Sequence, residues 1–340
     1  MSPAWKRYGV GGKDVRGNDI VVAVIDNGFD LGHIDLSDNW FVNGFEIPGN
    51  GIDDDRNGYV DDYLGHSIGE KDPDSPSLSG GHGNHSAGII GAVADNGIGV
   101  AGLNWKVKII PIEVPYWNLK TSHVIEAYSY VLAMKKRWLE TYGKKGANIV
   151  ATNFSLGFNF ADCTDEDYRV WNDLYDEMGA LGILSVVATM NVPKNVDEEG
   201  DVPSSCSSEF IVAVTNTMVS GGKNPDAGYG KTSIDLGAPG TDILSTVFNH
   251  DYKEKTGTSS AAPHVAGAIA YLHSVASEVT QRALFHDRAA TTLNFKKILM
   301  ESARPHASLR QTVSGGSLDV FAAAALLKEY EKGGPLFFGP

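Results

Sequence analysis

Short runs of uninterrupted apolar residues recur along this chain, and they constrain its fold more than any other feature. Val21-Val22-Ala23-Val24-Ile25 closes on Asp26-Asn27-Gly28, and comparable runs stand at 107–114, 148–155, 183–188 and 210–214. A strand with one wet face alternates apolar and polar residues, whereas a run that is apolar throughout is buried on both faces. Between the runs lie segments with helical apolar spacing. Ser122 to Tyr142 carries Val124, Ala127, Val131, Leu132 and Leu139, and Tyr168 to Leu181 reads the same way. Two further helices are expected at Asn294–Ala303 and Val320–Lys328. Strands alternating with helices imply an α/β fold: a doubly wound, mostly parallel sheet with helices on both faces and right-handed crossovers.

Three stretches carry chemistry. The first run delivers Asp26 to the carboxyl end of its strand. Gly80-Gly81-His82-Gly83-Asn84-His85-Ser86-Ala87-Gly88 is a glycine-rich lead into a small-residue helix. Gly257-Thr258-Ser259-Ser260-Ala261-Ala262-Pro263-His264-Val265-Ala266-Gly267 is a loop entering another helix, with Pro263 expected in its first turn. Taken singly, Ser259 is an N-capping serine and His82 a satisfied structural histidine. Taken together, an Asp, a His and a Ser, each at an element end, supply an acid, a base and a nucleophile. Ser259 also stands near the positive end of a helix dipole, which favours developing negative charge.

These motifs resemble those of the subtilisin-like serine proteases, and the resemblance runs from about Val21 to Ala325. It implies a subtilisin-like fold and a serine endopeptidase with Asp26, His82 and Ser259 as catalytic triad and an acyl-enzyme intermediate. It also implies an oxyanion hole made by the Ser259 N–H and a side-chain amide. Ser185-Val186-Val187-Ala188-Thr189-Met190-Asn191 occupies the matching place, so Asn191 is the candidate. Ser155, Leu156 and Gly157 match the family's substrate-binding strand. Met190, where the family has Gly, would line the primary specificity pocket and favour small substrate side chains. Asn84, Ser86 and Ser260 are further departures from the family pattern, and none removes a catalytic group. A protein or peptide substrate is implied, and a propeptide or inhibitor as a second partner.

A loop rich in Gly, Pro, Asp and Asn runs from Gly44 to Asp74. Within it Asp53, Asp55 and Asn57, then Gly58 and the carbonyl of Tyr59, follow the first half of an EF-hand-type loop. The twelfth position is Leu64, so Asp61 or Asp62 would have to close the shell. The expected cofactor is a structural Ca²⁺, which many subtilases carry in such insertions; a solvated acidic turn is the alternative. His82 and His85 form a His-x-x-His pair without a third ligand at plausible spacing, so no catalytic metal is expected.

The 340 residues suit a large α/β domain over 20–332, preceded by an arm over 1–19 and followed by a tail over 333–340. A formal charge of −14 argues against nucleic acid and anionic membrane surfaces as partners. No apolar stretch is long enough to span a bilayer. Cys163 and Cys206 are the two cysteines, expected to be separate structural thiols, with a single bridge as the alternative. Pro3-Ala4-Trp5 leads into Gly11-Gly12-Lys13-Asp14-Val15, which looks like the start of a mature subtilase domain whose leader and propeptide are gone. A secreted or periplasmic protein is therefore expected, with an intracellular one as the alternative. Two rival readings stand beside the endopeptidase. A catalytically impaired or gated subtilase-like binding module rests on Met190. Another hydrolase or a nucleotide-binding protein lacks support, because there is no Gly-x-Ser-x-Gly elbow and no third glycine after Gly81-His82-Gly83.

Overall fold

The computed structural model describes residues 2–69, 81–115 and 118–333; Gly80, the end of the acidic loop and the tail beyond Gly333 lie outside them. The strands are β1 (Val21–Asp26), β2 (His66–Ser67), β3 (Lys108–Glu113), β4 (Ile149–Phe154), β5 (Phe158–Asn159), β6 (Leu184–Ala188), β7 (Asp201–Val202), β8 (Ile211–Thr217), β9 (Leu236–Pro239), β10 (Ile243–Val247), β11 (Asp251–Lys255), β12 (Arg304–Pro305) and β13 (Gly316–Ser317). The helices are α1 (Pro3–Tyr8), α2 (His82–Gly91), α3 (Thr121–Glu140), α4 (Val170–Ala180), α5 (Val196–Glu199), α6 (Thr258–Val275), α7 (Glu278–His286), α8 (Arg288–Glu301) and α9 (Val320–Lys332).

The main sheet has the order β12-β13-β9-β8-β6-β4-β1-β3-β2. Every pairing from β13 to β2 is parallel, and β12 closes the edge antiparallel to β13. Every residue of β1, β4, β6 and β8 is buried, as uninterrupted apolar runs require. Alternation along β1 divides its side chains between two cores. Val22 and Val24 join the cluster under α2, α6 and α9. Val21, Ala23 and Ile25 join the one under α3 and α4. The fold is thus the expected doubly wound sheet, covered by helices on both faces.

Several features were not expected from the sequence. The β10–β11 hairpin docks on α2, where Gly88 leaves no room for a side chain: an added Cβ would lie 2.3 Å from Ser245 Oγ and 2.4 Å from Thr246 Oγ1. Strand β11 (Asp251–Lys255) is polar, and Ser245-Thr246 interrupts the apolar residues of β10, so no continuous apolar run announces the hairpin. Helix α7 was not foreseen, and α8 begins at Arg288 rather than Asn294. The first residues form α1, whose Tyr8 ring lies 5.8 Å from that of Phe321 on α9. Contrary to the expectation of separate thiols, Cys163 and Cys206 form a disulfide with Cα atoms 5.2 Å apart. Their proximity follows from the antiparallel pairing of β5 with β7, a tertiary contact that sequence spacing does not encode.

Candidate active site

Asp26 ends β1 and is fully buried. Beyond it the chain turns through Asn27 and Gly28, and the carbonyls of those two residues accept the N–H groups of Gly83 (2.6 Å) and Asn84 (3.1 Å). The turn after β1 therefore satisfies orphan donors in the first turn of α2, in the absence of any side-chain cap there. Gly83 makes this possible, since a Cβ would lie 2.7 Å from the Phe29 ring. The consequence is that His82, the first residue of α2, stands over Asp26.

His82 Nδ1 donates to Asp26 Oδ1 at 2.6 Å. The same oxygen accepts the Asn27 N–H at 2.8 Å, and Oδ2 accepts the Ser86 hydroxyl at 3.2 Å. A carboxylate so engaged fixes the imidazole tautomer, leaving Nε2 with its lone pair as the basic nitrogen. The His82 side chain is 22% exposed, so that nitrogen is reachable. Ser86 was legible only as a departure from a motif; its bond to Asp26 shows what the hydroxyl does. His85 takes no part in this pair. Its Nε2 lies 2.9 Å from the Ile243 carbonyl and 3.1 Å from the Lys253 carbonyl, tying α2 to the hairpin. Burial, followed by the charge of Lys255, lowers its pKa to about 4, so it is neutral at ordinary pH.

Ser259 is the second residue of α6, and its hydroxyl donates to the Ser155 carbonyl at 3.2 Å. Pro263 lies beyond the first turn, deeper than expected. Having no N–H, it cannot bond the carbonyl four residues back, which is that of Ser259. The Ser155 hydroxyl donates to this carbonyl instead, at 3.3 Å.

Asn191 follows β6. Its Oδ1 accepts the Thr258 N–H at 2.9 Å and the Thr258 hydroxyl at 3.2 Å. Only the oxygen of an amide accepts, so this contact sets the flip and leaves Nδ2 as a donor beside the start of α6. The Ser259 N–H lies in the same first turn, where backbone donors have no intrahelical acceptor.

The loop between β6 and Asn191 is held from below by a residue the sequence did not single out. The buried Asp201 Oδ2 accepts from Thr189 Oγ1 (2.9 Å), Met190 N (2.9 Å) and Ser204 Oγ (2.5 Å). Met190 itself is 3% exposed and belongs to the apolar cluster that also includes Val196 and Val202. Leu156 packs against that cluster from the rim. Gly157 is exposed, but a Cβ on it would meet the Val202 carbonyl at 2.5 Å, so the Ser155–Gly157 backbone lies directly on β7. No local pattern marks Asp201, because Thr189 and Met190 lie on the loop after β6, outside the strand that carries it.

In the acidic loop the structure brings together carboxylates of Glu46, Asp53 and Asp55, with oxygens within 4.8 Å of one another. Buried Glu46 Oε2 and Asp55 Oδ1 have no hydrogen-bond partner. Burial, offset in part by the Asp55 N–H and reinforced by Asp62, Asp55 and Asp54, raises the Glu46 pKa. Asp61 and Asp62 do not join this cluster. Asp61 accepts the N–H groups of Asn50 and Gly51, both at 3.0 Å. Asp62 is taken by Asn43, Asn57 and Tyr130. Asn57 Oδ1 accepts the N–H of Tyr59 at 2.8 Å. The third carboxylate is thus Glu46, upstream of the motif, where no spacing rule looks.

Comparison with known proteins identifies the family. A family model described as the subtilase family matches residues 17–321. The extracellular basic protease of Dichelobacter nodosus is 29% identical over 94% of this chain and 53% of its own. Subtilisin-like protease 1 of Plasmodium vivax is 28% identical over 90% of this chain and 47% of its own. The extracellular protease of Xanthomonas campestris is 31% identical over 81% and 46%. The chain spans about half the length of these curated relatives. Among solved structures, the protease domain of PatA superposes with a TM-score of 0.67 at 20% identity, covering 94% of this chain and 98% of that one, a likeness of fold. With a buried Asp-His pair, a serine opening α6 and a match over most of its length, the chain belongs to the subtilase family.

Proposed function

We propose that the chain is a serine endopeptidase that hydrolyses peptide bonds through Asp26, His82 and Ser259. The observation that carries this reading is the 2.6 Å bond from His82 Nδ1 to the buried Asp26, which leaves Nε2 as the basic nitrogen. Ser259 Oγ attacks the scissile carbonyl carbon while His82 Nε2 takes its proton. The oxyanion is received by the Ser259 N–H and by Asn191 Nδ2, the donor that the Thr258 contact leaves unused. Collapse breaks the C–N bond, with the amine leaving with the proton from His82. Water, deprotonated by His82, then hydrolyses the acyl-enzyme and returns the proton to Ser259.

Substrate adds as an extended strand along Ser155–Gly157. Its N–H groups then compete for the Ser155 carbonyl, and the Ser259 hydroxyl, released from that acceptor, turns to His82. The contact between Ser259 and Ser155 also favours a second reading, a gated protein that binds partners and is catalytically silent until that bond is broken. Glu46, Asp53 and Asp55 would hold a Ca²⁺ ion, whose hard charge satisfies the two orphaned oxygens and stabilises the loop. Secretion, as in relatives named extracellular, and control by a propeptide or inhibitor complete the proposal.

The test is fluorophosphonate labelling and hydrolysis of a casein-derived peptide library. The endopeptidase reading expects stoichiometric labelling of Ser259, and Ser259→Ala should fold with an unchanged melting temperature yet lose at least a thousandfold in kcat/KM. Labelling without turnover supports the gated reading. Retained turnover in Ser259→Ala overturns the nucleophile assignment.

A further inference from the structure

At the edge of the sheet opposite to Ser259, where the parallel strands begin, lies a second pocket. Asn148, just before β4, and Leu181-Gly182, before β6, contribute to its lining together with side chains of α3, α6, α7 and α8. Its volume is about 70 Å³, against roughly 10–15 Å³ for a single water.

The polar lining is lopsided. Lys135 on α3 is 4% exposed; its Nζ donates to Asn148 Oδ1 at 3.0 Å and lies 5.1 Å from the Trp138 ring centroid. Neither partner is an anion. Arg288, the first residue of α8, faces the same space and acts on Lys135 as a like charge. His273, 3% exposed and stacked on Phe295 at 4.1 Å, contributes a third nitrogen group. The carboxylate in the lining is Asp14, whose oxygens accept the N–H groups of Arg16 and Asn18 and the Asn18 amide. Asp14 acts electrostatically on Arg16, which is itself clamped by Glu278 at 2.7 Å. Among the described residues, no carboxylate forms an ion pair with Lys135.

A buried ammonium without a counter-ion is costly, and ordinarily such a group is paired. Burial, with Arg288 beside it, lowers the Lys135 pKa to about 7; burial and Lys135 together lower that of His273 to about 3. The missing element is negative charge. Gln281, whose Nε2 donates to the His273 carbonyl at 3.5 Å, also lines the pocket, and Leu139, Leu181, Leu284 and Phe285 supply apolar wall.

We propose that this pocket binds a small carboxylate with a short aliphatic tail, its oxygens taken by Lys135 and Arg288 and its tail by Leu139, Leu284 and Phe285. Two cationic donors lining one pocket, from α3 and α8, suit the two oxygens of one carboxylate. The site is remote from Asp26, His82 and Ser259, so it stands apart from the peptidase reading.

The probe is butyrate, titrated calorimetrically into the whole chain with sodium chloride at equal ionic strength as control. Saturable binding is expected for butyrate and not for chloride. Arg288→Gln should weaken it about tenfold, and Lys135→Met should abolish it. Inorganic phosphate, with no tail, should bind at least tenfold more weakly. Among the groups facing the pocket (Asp14, Arg16, Lys135, His273 and Arg288), Lys135 changes charge near neutrality. Binding should therefore be tighter at pH 6 than at pH 8, and at pH 8 it should take up a proton, seen as a buffer-dependent heat. Wild-type affinity in Lys135→Met, or equal response to chloride, overturns the proposal. Should Lys135→Met not fold, undiminished affinity in Arg288→Gln together with no proton uptake does the same.

Discussion

Ser155 and Ser259 exchange two hydrogen bonds: the Ser155 hydroxyl donates to the Ser259 carbonyl at 3.3 Å, and the Ser259 hydroxyl donates to the Ser155 carbonyl at 3.2 Å. The pair joins the residue after β4 to the start of α6, and Pro263 explains why one of its two acceptors, the Ser259 carbonyl, is open. By withholding an N–H from the Ser259 carbonyl, Pro263 leaves an acceptor that only a neighbouring element can satisfy.

The first prediction concerns that bond. Ser155→Ala removes the donor and leaves the carbonyl unpaired, a cost of about 1–2 kcal/mol. The melting temperature should fall by a few degrees, while kcat/KM for peptide hydrolysis should drop less than tenfold, because the three groups proposed for the chemistry stay in place. A loss as deep as that of Ser259→Ala would show that Ser155 does more than hold the helix.

The second concerns specificity. Met190 is held at its N–H by Asp201 and at its carbonyl by the Gly228 N–H (2.9 Å), so the loop cannot drift far. If its side chain, 3% exposed in the cluster against which Leu156 packs, forms the pocket floor, small substrate residues should be preferred beside the cleaved bond. Met190→Gly should raise the ratio of kcat/KM for paired Phe and Ala peptides by about tenfold, since pocket fit is felt in the transition state. An unchanged ratio would place the methionine outside the pocket.

Calcium provides the third. Binding at Glu46, Asp53 and Asp55 stabilises the native state by mass action, by about 2.7 kcal/mol at a hundredfold excess over Kd. Chelation should lower the melting temperature, and Glu46→Gln should abolish the difference between calcium and chelator. Identical curves for the wild type in both conditions would argue against the site.

The fourth is a pH dependence. His85 titrates near 6.5 when unfolded and at about 4 when folded, because burial disfavours its charged form. The unfolded chain therefore binds more protons between these values, so stability rises with pH there. The contribution is fully present above pH 6.5 and is lost as pH falls toward 4, on the order of 3 kcal/mol in all. His85→Gln keeps a donor for the Ile243 and Lys253 carbonyls but cannot charge, so its unfolding free energy should be flatter over that window. Chemical denaturation of both proteins from pH 7 to pH 4 measures this, and parallel curves would contradict it.

What the sequence determined by itself is what short-range pattern encodes. Uninterrupted apolar runs admit a strand buried on both faces, so Val21–Asp26 and its relatives specified a parallel sheet and placed Asp26 at its carboxyl edge. Glycine and small-residue leads marked the starts of α2 and α6, and thereby His82 and Ser259. What only the tertiary structure decided are contacts between segments whose own patterns are silent. Asp201 on β7 meets Thr189 and Met190 on the loop that follows β6, and the pairing of β5 with β7 brings the segments of Cys163 and Cys206 together. Glu46 meets Asp53 and Asp55 through the path of an irregular loop, and Lys135 and Arg288, far apart in sequence, come to line one pocket. The physical reason is common to all four cases. A strand or helix is selected by the periodicity of its own residues, but a buried polar group is selected by partners that chain folding alone brings within reach.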